Sequence, residues 1–387
     1  MTRARDLGIV IGTLPPGPDN AITDVAGVRV GHTTLIRGDG RLVVGQGPVR
    51  TGVTVVIPHD GNPWAEPVFA GCHTLNGNGE LTGLEWIRES GHLYGAIGIT
   101  NTHSVGLVRD ALVDHAVRNR AAGTPSWSLT VAGETYDGRL NDLNGHHVTA
   151  AHVDAAIAAA TAGPVEEGAV GGGTGMVCHE FKGGIGTSSR VVPAGRGTRR
   201  VGADRWTVGV LVQANYGRRG LLTIDGVPVG REIPTTEVPS PYDVPKLAPG
   251  EPGPGGGSII IIVATDAPLL PHQCARLAQR AGLGLARSGG YGATSSGDLF
   301  LCFATGNRGL APAEVEPTGS PIETIRAMID AALDPLFEAT IEATEEAIAN
   351  ALVAARTMTG RDGITAHGLP HERLVAIMAA HGRLRGG

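Results

Sequence analysis

Aromatic side chains are scarce, at 4% of the 387 residues. Any core must therefore be assembled from aliphatic residues and alanine, which dominate the 41% apolar content. Positive charge is also in short supply. With 31 Lys and Arg against 37 Asp and Glu, the chain has no basic stripe to release counterions from phosphates, which argues against a nucleic-acid partner. Cysteine is limited to Cys72, Cys178, Cys274 and Cys302, far apart and without a CxxC pair. Such spacing matches neither a disulfide scaffold nor a zinc site and fits free thiols in a reducing compartment, so a cytoplasmic location is expected. No apolar run approaches the ~20 residues of a membrane span, and the charged segment Met1 to Asp6 leads into no signal-like apolar stretch. Neither a membrane partner nor an internal repeat is expected.

Glycine is in excess, with 60 residues where roughly 7% of a chain is usual. It has no collagen period and clusters beside apolar runs, which implies tight turns and close backbone packing. The cluster Gly171, Gly172, Gly173, Thr174, Gly175 lacks the Lys-Ser/Thr pair of a phosphate loop and reads as a packed turn. His146, His147 and His152 match no zinc-ligand spacing. No metal and no cofactor is expected.

Short β-rich segments alternate with helical ones. Ile22 to His32, Val53 to Ile57, Gly95 to Thr100, Ser128 to Ala132, Trp206 to Gln213, Ser258 to Ala264 and Leu299 to Phe303 read as strands. Ser104 to Arg118, with Ser104 as N-cap, reads as a helix, as do Thr149 to Ala160, His272 to Arg287, Ile322 to Arg356 with a break near Pro335, and His371 to His381. Helices gathered in blocks imply sheets sandwiched between helical layers, not a doubly wound sheet.

One seam concentrates the chemistry. Seven prolines between Pro234 and Pro254 forbid regular structure in a Pro/Gly-rich linker, residues 234–257, that runs straight into Ser258 and the buried strand Ile259 to Val263. A flexible backbone feeding a hydroxyl at the mouth of a buried strand suits a chain that cuts its own Gly257–Ser258 bond. The same residues also describe a plain interdomain linker with a serine opening the next strand. A freed Ser258 would carry both nucleophile and base, because an α-amine has a pKa of about 7.7 to 8.0. Asn101, Glu134, Tyr136, Asn215, Ser258 and Ser296 all fall near strand ends that can meet at one sandwich edge, although each alone is an ordinary turn or cap residue. Ser296 would bridge Ser258 to the Asp298 carboxylate, unless Ser296 to Asp298 is only a turn. Asn215 would offer its amide to an oxyanion, Tyr136 its hydroxyl, and Glu134 a partner for a substrate ammonium.

The blocks Arg3 to Leu7, Asn20 to Val25, Leu75 to Gly83, Asn101 to Gly106, Glu134 to Asn144, Val170 to Met176, Gln213 to Gly217, Gly257 to Ala264 and Ser296 to Asp298, in this order, resemble the DmpA family. These are the L-aminopeptidase/D-Ala-esterase/amidases, with β-peptidyl aminopeptidases as near relatives. The resemblance implies a single four-layer αββα sandwich over 1–387, like that of the ornithine acetyltransferases, cut into 1–257 and 258–387 that stay associated, and an assembly of several such protomers. It matches Ser258 to the nucleophile, Ser296 and Asp298 to the pair that orients it, Asn215 to the oxyanion amide, and Glu134 and Tyr136 to residues at the substrate's amino end and reacting carbonyl. Asp298 resembles the L-aminopeptidase branch, a glutamate there being typical of the β-peptidyl branch. The expected activity is release of small N-terminal residues from short peptides, amides or esters bearing a free amine. The other readings are a β-peptidyl aminopeptidase, a nylon-type oligoamide hydrolase, an acyltransferase, and a non-catalytic small-ligand-binding protein.

Overall fold

Ile259, Ile261 and Val263 enter one apolar core while Ile260, Ile262 and Ala264 enter another. A run this apolar is a strand covered on both faces. The structure is a computed structural model that describes residues 1–120, 127–193, 205–244, 253–312 and 321–385. Its main strands are β1 (Arg29–Arg37), β2 (Val49–Ile57), β3 (Val68–Gly77), β4 (His92–Leu93), β5 (Ile97–Asn101), β6 (Val131–Thr135), β7 (Val177–Cys178), β8 (Phe181–Lys182), β9 (Gly184–Pro193), β10 (Arg205–Asn215), β11 (Gly257–Thr265) and β12 (Ser296–Ala304). The helices are α1 (Leu84–Ser90), α2 (Val105–Arg118), α3 (Ala150–Ala158), α4 (Val229–Glu232), α5 (Pro271–Arg287), α6 (Asp334–Ala354) and α7 (His371–Ala380).

The strands form a four-stranded sheet ordered β1-β2-β5-β6 and a six-stranded sheet ordered β4-β3-β12-β11-β10-β9. Val56, Ile97, Ile99 and Val131 of the first meet Leu211, Ile260, Ile262, Leu299 and Leu301 of the second in an inter-sheet core. Val53, Val55, Val108, Leu112 and Val153 pack the outer face of the small sheet under α2 and α3. Val208, Val210, Ile261, Phe300, Leu277, Ala281 and Ala347 pack the outer face of the large sheet under α5 and α6. These are the four layers αββα expected from the sequence. Both β10 and β12 flank β11, the former antiparallel and the latter parallel.

The glycine cluster is the packed turn. A Cβ on Gly173 would lie 2.5 Å from the Ile185 amide nitrogen, and one on Gly172 would lie 2.6 Å from the Ile99 carbonyl oxygen. Only bare backbone fits between the two sheets there. His147 bonds Asp142 at 2.8 Å, and His152 caps the Thr149 amide at 3.0 Å. Among the described residues no cluster of three or more His, Cys, Asp or Glu has metal-binding geometry.

Several boundaries differ from expectation. Ile22–Asp24 is a 3₁₀ turn, not strand, because the Asp24 carboxylate accepts the Asp19 and Ala21 amides at 3.0 Å each and Gly27 follows at φ +86°. β6 starts at Val131, so Ser128 lies outside it and Glu134 inside. Pro335 does not interrupt a helix. It opens α6 in the first turn, where its missing N–H costs nothing, and the residues from Ile322 to Ile329 are not helical. Ser104 holds the N-cap position of α2, but the cap is Asn101, whose Oδ1 accepts the Ser104 amide at 3.0 Å. The strands β3 and β9 were not expected. Of the linker, residues 245–252 lie outside the described residues. No helix among those described is long and apolar enough to cross a membrane.

Candidate active site

Register brings the distant residues together. Asn215, the last residue of β10, pairs with Ser258 in β11, and Ser258 pairs with Gly297 in β12. Strand alternation puts Ser258 in phase with Ile260 and Ile262, facing the small sheet, while Ser296 and Asp298 are in phase with Phe300 and Cys302 on the helix side. Ser258 is buried, and its Oγ accepts the Gly297 N–H at 3.0 Å.

Ser296 and Asp298 are part of β12, not a turn before it. The Ser296 hydroxyl donates to Asp298 Oδ1 at 2.6 Å. The expected bridge from Ser296 to the Ser258 hydroxyl is not formed, because the two side chains leave opposite faces and Ser258 Oγ has Gly297 N–H instead. Burial pushes the Asp298 carboxyl up to about 6, against the stabilising Ser296 hydroxyl and Ile259 N–H. The carboxylate therefore lies against the main chain one residue beyond Ser258.

Gly257 takes φ +129°, a backbone region left essentially to glycine. A Cβ there would overlap the Asn215 carbonyl oxygen and sit 3.3 Å from Asn215 Nδ2. The Asn215 carboxamide thus lies beside the bond joining Gly257 to Ser258. Its orientation is set from the other end, where Oδ1 accepts the Val177 N–H at 2.8 Å.

Glu134 is buried, with Oε1 accepting the Glu80 N–H at 3.0 Å and Oε2 accepting the Thr102 hydroxyl. Burial raises its carboxyl above the usual range, against those two donors. Gly79 joins it to the rest: a Cβ there would lie 3.1 Å from both Glu134 Oε1 and Gly297 Cα. Tyr136, half-buried two residues further on, has its ring against Gly138, where a Cβ would lie 2.5 Å from the hydroxyl. Asn101 belongs to the frame, not to this cluster: it caps α2 and donates to Thr51 Oγ1 at 2.7 Å. Sequence reasoning missed Gly79, Thr102 and the amides of Gly297 and Val177. Backbone donors leave no residue-type signal; only the glycines beside Glu134 and Asp298 hinted at close approach.

The site thus has a serine at the head of a central strand, the Ser296–Asp298 pair against the Ile259 N–H, and the Asn215 amide beside the preceding peptide, on a sandwich that is an N-terminal-nucleophile hydrolase fold. The fold matches the solved "l-aminopeptidase d-ala-esterase/amidase from ochrobactrum anthropi", described as a prototype of the serine aminopeptidases and a variant of the Ntn hydrolase fold. The TM-score is 0.85 at 41% identity, covering 100% of both chains. The model of peptidase family S58 matches residues 20–366, and the chain belongs to that family. A β-aminopeptidase of Burkholderia sp. superposes with a TM-score of 0.87 at 53% identity, over 98% of this chain and 99% of that one. The β-peptidyl aminopeptidase BapA of Sphingosinicella microcystinivorans is 48% identical over 99% of this chain and 93% of its own length. The chain is accordingly an enzyme, a serine aminopeptidase.

Proposed function

We propose that the chain cuts itself between Gly257 and Ser258 and that the freed Ser258 then removes small N-terminal residues from short peptides, amides or esters. The observation that carries this reading is the Gly257–Ser258 junction, held at Gly257 in a conformation open essentially to glycine and set against the Asn215 amide. In the cutting step Ser258 Oγ attacks the Gly257 carbonyl carbon, its proton passes to the departing nitrogen, and the C–N bond gives way to an ester. Water then hydrolyses the ester, leaving a Gly257 carboxylate and a Ser258 amine. In turnover that amine takes the hydroxyl proton, Oγ attacks the substrate carbonyl, and the proton passes on to the leaving amine. Water releases the acyl group. Asn215 Nδ2 stabilises the oxyanion, Tyr136 assists at the same carbonyl, and Glu134 pairs with the substrate ammonium. Asp298 and Ser296 hold the Ser258 amine.

The sheet order supports fragments that stay together. All of β12, and all of β11 but its first residue Gly257, lie after the cut, yet these strands occupy the centre of the large sheet between β3 and β10, which lie before it. A buried network adds to this: Glu346 of α6 accepts Arg5 at 2.7 Å and Arg190 at 2.7 Å. Exposed Trp127 and Leu129 favour an assembly of several cut protomers, and four free cysteines favour a cytoplasmic setting. A second reading, β-peptidyl aminopeptidase, is favoured by the names and identities of the Burkholderia and Sphingosinicella proteins. Rates on alanyl and β-homoalanyl amides separate the two.

Intact mass of purified protein should give two species, residues 1–257 and 258–387, while Ser258→Ala stays whole and inactive. A fully active uncut chain, or peptidase activity in Ser258→Ala, would overturn the proposal.

A further inference from the structure

Lysine is almost absent from this chain: Lys182 and Lys246 are the only two. Lys182, in β8, is fully buried. Its ammonium donates to the Met176 carbonyl at 2.7 Å, the Gly183 carbonyl at 2.7 Å and the Gly173 carbonyl at 3.4 Å. Its three protons are thus directed at three backbone oxygens, and no carboxylate among the described residues forms an ion pair with it. Burying an ammonium without a carboxylate partner is unfavourable. An apolar residue would fill the space without that cost, and an arginine would bring five donors to three acceptors.

What the ammonium touches explains its position. The Met176 carbonyl and the Val177 N–H belong to one peptide group, and that N–H donates to Asn215 Oδ1 at 2.8 Å. The carboxamide then presents Nδ2 beside Gly257. A continuous line therefore runs from the ammonium through a peptide to the Asn215 amide. Hydrogen bonds in such a chain polarise one another, by about 10–30% per bond, and the first one is charge-assisted. Burial draws the Lys182 ammonium down to about 7, with Cys178 and Asp137 opposing.

We propose that Lys182 is a positioning residue that orients and polarises the Met176–Val177 peptide, and through it the Asn215 amide, so that Nδ2 binds a developing oxyanion more strongly than an unassisted amide. This rests on the reading of Asn215 as the oxyanion donor.

The test is a double-mutant cycle on the full chain. Rates are measured as kcat and KM on an alanyl amide, per cut protomer counted by acylation of Ser258, together with the half-time of self-cleavage. Removing one oxyanion donor costs roughly 100- to 1,000-fold, so Asn215→Ala should lose that much. Lys182→Met should lower kcat about 10-fold or more with KM within about twofold, and Lys182→Gln should fall between it and the wild type. In the Asn215→Ala background, Lys182→Met should change kcat by no more than about twofold. Equal losses in both backgrounds, or an unchanged kcat in Lys182→Met, overturn the inference. So does failure of both Lys182 variants to fold, which would assign the lysine to the fold alone. A fully active Asn215→Ala overturns the oxyanion reading itself.

Discussion

Replacing Gly257 by alanine should slow self-cleavage without harming the enzyme once cut. At φ +129° a residue with a Cβ is strained by about 1–3 kcal/mol. The new methyl must also overlap the Asn215 carbonyl oxygen, adding about 1–3 kcal/mol for forced displacement. The chain can relieve both only by swinging the 257–258 peptide away from Asn215, which is the alignment the attack needs. If about 3 kcal/mol of this appears in the barrier, cleavage slows roughly 100-fold. After the cut, Gly257 is a free carboxyl end and the strain disappears. Turnover per cut protomer should therefore equal that of the wild type within about twofold.

The assay is a time course of precursor conversion by intact mass, followed by kcat on the matured fraction. Gly77→Ala is the control: it lies at the end of β3 with nothing within 4 Å of its added Cβ, and it should mature normally. Wild-type processing of Gly257→Ala would refute the reasoning. A kcat that fell in parallel with processing would also refute it, by showing that Gly257 serves the folded site and not the bond to be cut.

Two more expectations follow from the charges. The Asp298 carboxyl is raised to about 6, so it takes up a proton below that pH, and its bond from the Ser296 hydroxyl loses its charge assistance. With an α-amine near pH 7.7–8.0 as the other group that must be deprotonated, kcat/KM should fall tenfold per pH unit from about 7.7 to about 6 and steepen to a hundredfold per unit below. Asp298→Asn should lower kcat and keep only the single slope; an unchanged steep limb in that variant would place the second titration elsewhere. Glu346→Gln leaves Arg5 and Arg190 short of a buried anion, a loss of about 3–5 kcal/mol. Urea denaturation should show the midpoint falling accordingly and the two fragments parting earlier, whereas an unmoved midpoint would mean the network contributes nothing to cohesion.

The parts of this molecule that sequence reveals are those whose burial is written in residue type. Ile259 to Val263 can only be a strand covered on both faces, and the glycine turn can only be packed backbone. The parts that escaped are those where polar residues are buried and compensated from afar. β9 carries Thr187, Ser188, Ser189 and Arg190, all buried, and so lacks the apolar alternation of a strand. Its Arg190 is satisfied by Glu342 and Glu346, more than 150 residues later in α6. Those glutamates in turn make a buried helix resemble a solvent-facing one. Lys182 escaped for the same reason: its acceptors are backbone carbonyls, which no sequence displays.

The site residues were legible as types, but the sheet decides how they relate. Ser258 and Gly297 share one face because β11 and β12 are parallel and in register, while Ser296 and Asp298 occupy the other face. An acid on the far side of a sheet cannot touch the serine hydroxyl. It can reach only the main chain between them, and Asp298 does so at the Ile259 N–H. On the proposed reading this explains why a histidine is not needed and why cleavage is. The base on that reading is the nitrogen of Ser258, one residue before the Ile259 N–H that Asp298 meets and on the same residue as the hydroxyl it would deprotonate. As an amide nitrogen it cannot serve as a base, and only rupture of the link to Gly257 turns it into one.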